Sequence, residues 1–458
     1  MIRHSFTIAA IQSGTGKTTI SLGLMSALCR SGHTVAPFKV GPDFIDPGLH
    51  RVVTGRTSWN LDIWMCGDSY VGGLFEDKSS DCDVAIVEGV MGLFDGEHSS
   101  TAEVARLLSV PVVVVLDVRG MAQSAAALIA GIRCIDPDLS IAGVILNRIS
   151  SERHYRLVSE AITRYCDTKV FGCLPHEPDI GLSQRHLGLL TAEDGCLNSG
   201  IVERLTSLIQ DNIDLDGLLD ATLIQSTGSR PLPSITTLSG VGTSNAVSFP
   251  RVAVAKDNAF CFYYEDNLEM FQRYGVRLLF FSPLQDEGLP DGIDGLYLGG
   301  GYPELYAGVL SANISMLNSV RRFITAGGVT YAECGGFMYL SEGITGLDGV
   351  FNPMASVFPA GAIMKNRRVS LGYRQATLLE DTIIGKKGDV VKGHEFHYSE
   401  MADMPTVGGE LNQHVKRVFK TPQGAQGFMV ANCLASYIHL HFGSNLNIVR
   451  CLVDSMTP

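Results

Sequence analysis

Three groups of residues in this sequence have types and spacings that could do chemistry. The first is Ser13-Gly14-Thr15-Gly16-Lys17-Thr18-Thr19, between an apolar run and a helical pattern. Glycines let the backbone curl so that N–H groups face a phosphate. Lys17 adds a point charge, the helix N-terminus adds its dipole, and the Thr18 hydroxyl is placed for Mg²⁺. Where the strict phosphate-loop pattern begins with Gly, this sequence has Ile11. The second group is acidic. Asp43 and Asp46 lie in Phe38–Pro47, just past one strand-like run. Glu88 and Asp95 lie in Ile86–Gly96, at and after another. Acids at the carboxyl ends of strands, beside a phosphate loop, suit metal binding and substrate orientation. Pro-Asp, Asp-Pro and Asp-Gly are also ordinary turn chemistry. Asn147 ends a further apolar run and offers a donor and an acceptor to an adenine edge, or a cap to its own strand.

The third group surrounds Cys334. Val329–Met338 reads as strand, sharp turn and helix, with Cys334 at the turn. Such a turn holds a residue exposed and strained, the Gly335 amide can donate to an oxyanion, and the helix dipole favours thiolate. Gly299-Gly300-Gly301 follows another strand-like run, so Gly300 and Gly301 are further oxyanion donors or parts of a tight crossover. A nucleophilic thiol needs a base. His394 and His397 lie in one segment, His439 and His441 in another, and spacing alone does not choose.

The elements that must position these groups follow from periodicity. Apolar runs at Phe6–Ile11, Val35–Val40, Val84–Val87, Val112–Leu116 and Ile141–Leu146 read as buried strands. Ile20, Leu24, Met25 and Leu28 recur at helical spacing, with Gly32 as C-cap. Buried strands alternating with helices predict a parallel α/β sheet. Residues 201–224 have helical spacing. Residues 225–250 are rich in Ser, Thr, Gly and Pro and read as a linker. Strands resume at Arg251–Ala255, Val276–Phe281, Gly295–Leu298 and Val329–Ala332. The expected organisation is one α/β domain over 1–224, a linker over 225–250 and a second α/β domain over 251–458. The length of 458 residues suits two or three domains.

The net charge of −12 gives no overall basic field, which argues against general nucleic-acid or anionic-membrane binding. The longest apolar runs fall far short of a membrane span, and the start lacks a signal-peptide pattern. No two of the 11 cysteines form a C-x-x-C pair. Most are expected to be reduced, buried, small apolar residues of a cytoplasmic protein.

Taken together, Ser13–Thr18, Lys39–Pro47, Glu88–Gly96, Arg185–Leu189, Val254–Asn267, Glu333–Phe337 and Gly393–Ser399 resemble the cobyrinic acid a,c-diamide synthases over nearly the whole chain and in the same order. The nickel-sirohydrochlorin and hydrogenobyrinic acid a,c-diamide synthases share these motifs. The resemblance implies a P-loop synthetase domain of the dethiobiotin-synthetase type, then a class I glutamine amidotransferase-like domain. It implies ATP, Mg²⁺ and L-glutamine or ammonia as reactants, and a tetrapyrrole polycarboxylate such as cobyrinate as substrate. By it, Cys334 is the glutaminase nucleophile and His439 its base, with His441 as fallback. Many class I amidotransferases carry an acid two residues after that histidine; here the place is His441. ATP would be held by Ser13–Thr19 and Asn147, and Mg²⁺ by Thr18, Asp43 and Glu88, while Asp43, Asp46, Glu88 and Asp95 orient the substrate or handle ammonia's proton. Arg148, Arg185, His186, Arg367, Arg368 and Arg374 are candidates for the polycarboxylate, although ordinary solvated charge is the favoured reading of these residues. P-loop relatives of this kind often complete a site across subunits, so a homodimer is expected by analogy. Competing readings are cobyric acid amidation, disfavoured by Lys39–Pro47, and a nucleotide-switch ATPase, which needs no nucleophilic cysteine.

Overall fold

The computed structural model describes residues 2–96, 99–175, 195, 197–225, 249–402, 404, 406–407, 410–411 and 415–457. The chain divides into two compact units, Met1–Pro233 and Ser234–Pro458. Most of the linker expected over 225–250 lies outside the described residues.

In the first unit the strands are β1 (Ile2–Ala10), β2 (Val35–Val40), β3 (Trp59–Leu61), β4 (Val84–Glu88), β5 (Val112–Asp117), β6 (Ile141–Ile149), β7 (Val170–Pro175) and β8 (Leu223–Gln225). Seven of them form a parallel sheet in the order β3-β2-β4-β1-β5-β6-β7. Val, Ile and Phe fill both faces of the central strands, as a sheet covered by helices on either side requires. Helix α1 (Lys17–Arg30) returns from β1, and β2 then lies beyond β4, while β5 lies on β1's other side. The order therefore reverses at β1, and its carboxyl end opens into the crevice where such sheets bind ligands.

The helical reading of residues 201–224 is corrected at its end. Helices span Ser199–Asn212 and Leu215–Ala221, after which β8 pairs antiparallel with the start of β1. Three residues are too few to show a period, so the strand is decided by the free edge that β1 offers. Gly32 also differs slightly: Ser31 is the C-cap of α1, and Gly32 follows it in the left-handed region.

The second unit carries a ten-stranded mixed sheet. Its strands are β9 (Arg251–Ala255), β10 (Arg277–Phe281), β11 (Gly295–Leu298), β12 (Val329–Glu333), β13 (Ser370–Leu378), β14 (Val390–His397), β15 (Lys416–Thr421), β16 (Gly424–Val430), β17 (Cys433–Ser436) and β18 (His439–Leu440). The order is β10-β9-β11-β12-β17-β16-β15-β13-β14-β18. The first five are parallel neighbours, and the remainder pair antiparallel. The core packs around Phe260, Leu298, Ala332, Phe337, Tyr339 and Phe358.

The cysteine reading holds in part. The ten described cysteines are free thiols, but four are buried, five are half-buried and Cys134 is exposed. No helix among the described residues is long and apolar enough to cross a membrane.

Candidate active sites

The phosphate loop is shaped from the β6 end. Asn147 Nδ2 donates to the Thr15 carbonyl at 2.7 Å, and Arg148 Nη1 donates to the Gly14 carbonyl at 3.0 Å. Holding those carbonyls outward turns the loop's N–H groups toward the phosphate side. Gly16 is required here: its φ is +94°, and a Cβ would stand 2.5 Å from Asn147 Nδ2. Asn147 Oδ1 meanwhile accepts from the Arg148 N–H. The base contact read for Asn147 is therefore reduced to one remaining N–H and a lone pair, because the amide is already engaged by the loop. Lys17 Nζ donates to the carbonyls of Gln12 and Met91, at 3.4 and 2.5 Å. Burial, then the neighbouring Lys39 ammonium, push its pKa down.

Glu88 is the hub of this site. It is wholly buried at the end of β4. Its Oε1 accepts from Thr18 Oγ1 at 2.7 Å and from Lys39 Nζ at 3.1 Å, and its Oε2 meets His50 Nε2 at 2.8 Å. Burial opposes its charge, but Lys39 and His50 outweigh burial and hold the carboxyl well below the usual range. Lys39 also reaches Asp46 at 2.5 Å, the Gly89 carbonyl at 3.2 Å and Asp43 at 3.8 Å. Desolvation pulls Lys39 down, and Asp46, Glu88 and Asp43 more than reverse it. Burial and the adjacent Asp43 push the Asp46 carboxyl up.

The acids thus separate. Asp46 and Glu88 converge on Thr18, which lies 3.3 Å from Asp46. Asp43 Oδ1 caps the start of helix α2 (Ile45–Thr54), accepting from the Ile45 and Asp46 N–H groups. Asp95 accepts from the Gly92 N–H and so closes its own turn. His50 and Lys39 were not singled out from the sequence. His50 stands four residues after Asp46, one helical turn further on the same face of α2, and that spacing was the available signal. Among the described residues, no three or more His, Cys, Asp or Glu side chains form a ready metal cage. The set instead offers a hydroxyl and carboxylates, which fits a Mg²⁺ that completes its shell with phosphate and water.

The second site is built where β12 ends. Cys334 has φ +46° and ψ −101°, a strained backbone for a residue with a Cβ, and caps the helix Gly335–Leu340. Its N–H donates to the Ser436 carbonyl at 2.7 Å, which fixes the turn against β17. The expectation of an exposed turn is corrected: Cys334 is only 5 % exposed. Glycines at 335 and 336 let the loop after β11 pack directly on it, and a Cβ on Gly335 would lie 3.1 Å from the Gly301 nitrogen. Burial first, then Glu304 and Glu395, push the thiol's pKa up, against a hydrogen bond from the Gly335 N–H.

Of the oxyanion donors, Gly300 is corrected. Its N–H donates to the Phe262 carbonyl at 3.2 Å and is committed there. Gly301 packs against Gly335, and the Gly335 N–H donates to the Cys334 thiol. His439 lies against this loop, since a Cβ on Gly300 would meet its Cε1 at 2.2 Å. Burial, then His394 and His397, push His439 down to about 3. His441 faces elsewhere: its Nδ1 accepts from the Gly443 N–H, its Nε2 is 3.7 Å from Asp266, and its ring packs on Tyr264. His397 is held by Glu395 at 2.9 Å and stacks on Tyr437.

Among the candidate basic groups, Arg148 ion-pairs with Asp117 beside the phosphate loop. Arg374 is bound to Glu395 at 2.5 Å and to Ser370 at 2.6 Å, so its guanidinium is engaged within the fold. Arg367 and Arg368 are exposed. Arg185 and His186 lie outside the described residues.

Comparison with known proteins agrees with this division. Residues 6–189 match the CobQ/CobB/MinD/ParA nucleotide binding domain, and residues 251–446 the CobB/CobQ-like glutamine amidotransferase domain. The cobyrinate a,c-diamide synthase of Picrophilus torridus is 42% identical, covering 99% of this chain and 98% of that protein. The protein of the same name from Caldanaerobacter subterraneus is 42% identical over 98% and 97% of the two chains. That from Salmonella typhimurium is 38% identical over 98% and 97%. Among solved structures, PurLQS from Thermotoga maritima covers 45% of this chain and 99% of its own, at 11% identity and TM-score 0.34. MinD from Aquifex aeolicus covers 48% and 95%, at 17% identity and TM-score 0.31. With identity near 40% sustained from end to end and both domain types in order, the chain belongs to the cobyrinate a,c-diamide synthase family.

Proposed function

We propose that this protein uses ATP, Mg²⁺ and glutamine to convert the a- and c-acetate carboxylates of cobyrinate to amides. The observation that carries the reading is the strained, buried Cys334 at the turn before Gly335, with the Gly301 loop packed on that turn and His439 against Gly300, in one chain with a phosphate loop that faces Glu88, Asp46 and Lys39.

A carboxylate is a poor electrophile at neutral pH. Transfer of the γ-phosphoryl group to an acetate oxygen makes an acyl phosphate and releases ADP. Lys17 and the loop N–H groups stabilise charge on the transferring group. Mg²⁺ would be held by Thr18 with Glu88 or Asp46 and would neutralise phosphate charge. Lys39 keeps the acids paired and Glu88 ionised.

In the amidotransferase domain the resting pair is a neutral thiol and a neutral imidazole, because burial raises one and lowers the other. His439 takes the Cys334 proton as sulfur bonds to the glutamine carboxamide carbon. The oxyanion meets the Gly301 and Gly335 amides. His439 then gives its proton to the departing nitrogen, and ammonia leaves a glutamyl thioester that water hydrolyses to glutamate. Ammonia attacks the acyl phosphate, phosphate departs, and the amide remains. The same reading includes a homodimer and a cytoplasmic location.

The test is mass spectrometry of reactions containing ATP, Mg²⁺ and either glutamine or NH₄⁺, with cobyrinate, hydrogenobyrinate and nickel-sirohydrochlorin in parallel. Exchange of –OH for –NH₂ at two carboxyls, then arrest, is expected with cobyrinate. Preference for another ring would transfer the substrate assignment to it. No amidation of any ring with either nitrogen source would overturn the reading. Cys334→Ala should abolish glutamine-driven and keep NH₄⁺-driven synthesis.

A further inference from the structure

The strand that carries His439 is not laddered to the strand that carries Cys334. β18 lies at the far end of the sheet order and pairs with β14, where His394 opposes His439. The nucleophile follows β12, on the other side of five intervening strands. One side chain spans the two. Glu333, the residue before Cys334, is 1 % exposed, and its Oε1 accepts from the Leu440 N–H at 2.9 Å. The same oxygen accepts from Tyr331 at 2.6 Å, and Oε2 accepts from Tyr297 at 3.0 Å.

The glutaminase steps give this carboxylate no work to do. Three donors aim at it, and all three bond best to its ionised form. Burial nevertheless pushes it up to about 7. A buried carboxylate is a costly way to fill space, so its place next to the nucleophile in the chain and on the neighbour of the base calls for a reason. Leu440 is the neighbour of His439, so fixing its N–H fixes the main chain from which the imidazole projects. The Leu440 carbonyl is held separately by Asn267 Nδ2 at 2.8 Å, and Asn267 Oδ1 accepts from the Phe442 N–H. The segment is thus pinned on one side by the helix Glu265–Arg273 and on the other by the nucleophile strand itself.

We propose that Glu333 is a positioning residue for glutaminase chemistry: its carboxylate ties Leu440 to the Cys334 strand and so sets the thiol-to-imidazole register. The position two residues after His439 holds His441, which faces Asp266. Orientation of the base is supplied here through the backbone. The inference rests on Cys334 and His439 being the glutaminase pair.

The test uses the full-length enzyme with Glu333→Asp, Glu333→Gln and Glu333→Ala. Asp keeps the charge but shortens the reach by one methylene. Gln keeps the reach and an acceptor for Leu440 but loses the charge. A misplacement of about 1 Å in a reacting pair costs on the order of 100-fold in rate. Glutaminase kcat is therefore expected to fall about 10- to 100-fold in Glu333→Asp and Glu333→Ala, with KM for glutamine changed by less than about 3-fold. Glu333→Gln should recover to within about 10-fold of the native rate. NH₄⁺-driven synthesis should be unchanged in all three. Should Glu333→Ala not fold, Glu333→Asp carries the comparison. Native glutaminase kcat in folded Glu333→Asp and Glu333→Ala would overturn the proposal, as would equal loss of the NH₄⁺-driven reaction. Failure of the underlying reading is separable: Cys334→Ala would then retain glutaminase activity.

Discussion

Lys39 is the sole ammonium that touches Asp43, Asp46 and Glu88 together among the described residues, and it is 3 % exposed. Lys39→Met keeps most of the side chain's length and removes the charge. Glu88 would then keep His50 and Thr18 only, and Asp46 would lose its 2.5 Å partner. Breaking a buried ion pair by removing one partner costs about 3–5 kcal/mol. Asp46 limits the loss, because burial and Asp43 already favour its protonated form. The lower end, about 3 kcal/mol near pH 8, is expected. Both tryptophans, Trp59 and Trp64, lie in the nucleotide-binding unit, so urea unfolding followed by tryptophan fluorescence reports that unit. With an m value of about 3 kcal/mol/M, the midpoint should fall by about 1 M. The sign with pH is fixed by proton binding. Without Lys39 the folded acids have raised pKa values and bind protons that the unfolded chain does not. The variant therefore gains on native as pH falls from 8 toward 5, and the midpoint gap narrows. A gap under about 0.3 M at pH 8, or one that widens on acidification, would refute the account of Lys39 as the cation that permits these acids to be buried.

Two further outcomes follow from the geometry. Because burial raises the Cys334 thiol and lowers His439, alkylation of Cys334 by iodoacetamide, followed by peptide mass spectrometry, should be slow at pH 7 and still be rising at pH 9; a plateau near pH 6 would mean a preformed thiolate–imidazolium pair. Asn147→Ala releases the Thr15 carbonyl, so KM for ATP should rise about 10-fold, the equivalent of one buried hydrogen bond, while glutaminase activity in the other domain stays native; an unchanged KM would show that the loop keeps its shape without the amide.

Much of the fold was legible because its signals are local. Buried parallel strands are runs of Val, Ile and Phe, and the runs at Val35–Val40 and Val112–Leu116 coincide with β2 and nearly with β5. Gly-Lys-Thr after a strand, and Glu-Cys-Gly-Gly between strand and helix, state their chemistry by type and spacing, and the family resemblance rests on such motifs. These determine a phosphate loop, a strained cysteine turn and two α/β units in order.

What the tertiary structure decided are the partners. Glu88 reads in the sequence as a strand-end acid without named partners, but the parallel register of β2 and β4 sets Lys39 opposite it, and helix α2 brings His50 to its other oxygen. Asp43 and Asp95 read the same as Asp46 by type, and only folding commits them to a cap and a turn. Gly300 was indistinguishable from Gly301 until Phe262 claimed its N–H. That His439 packs against the loop after β11 while His441 meets the acid on a distant helix is likewise visible only in the fold. The physical reason is common to all of these. A residue's type fixes which bonds it can make, whereas burial and long-range register fix which it does make, and neither is a property of neighbours in the chain.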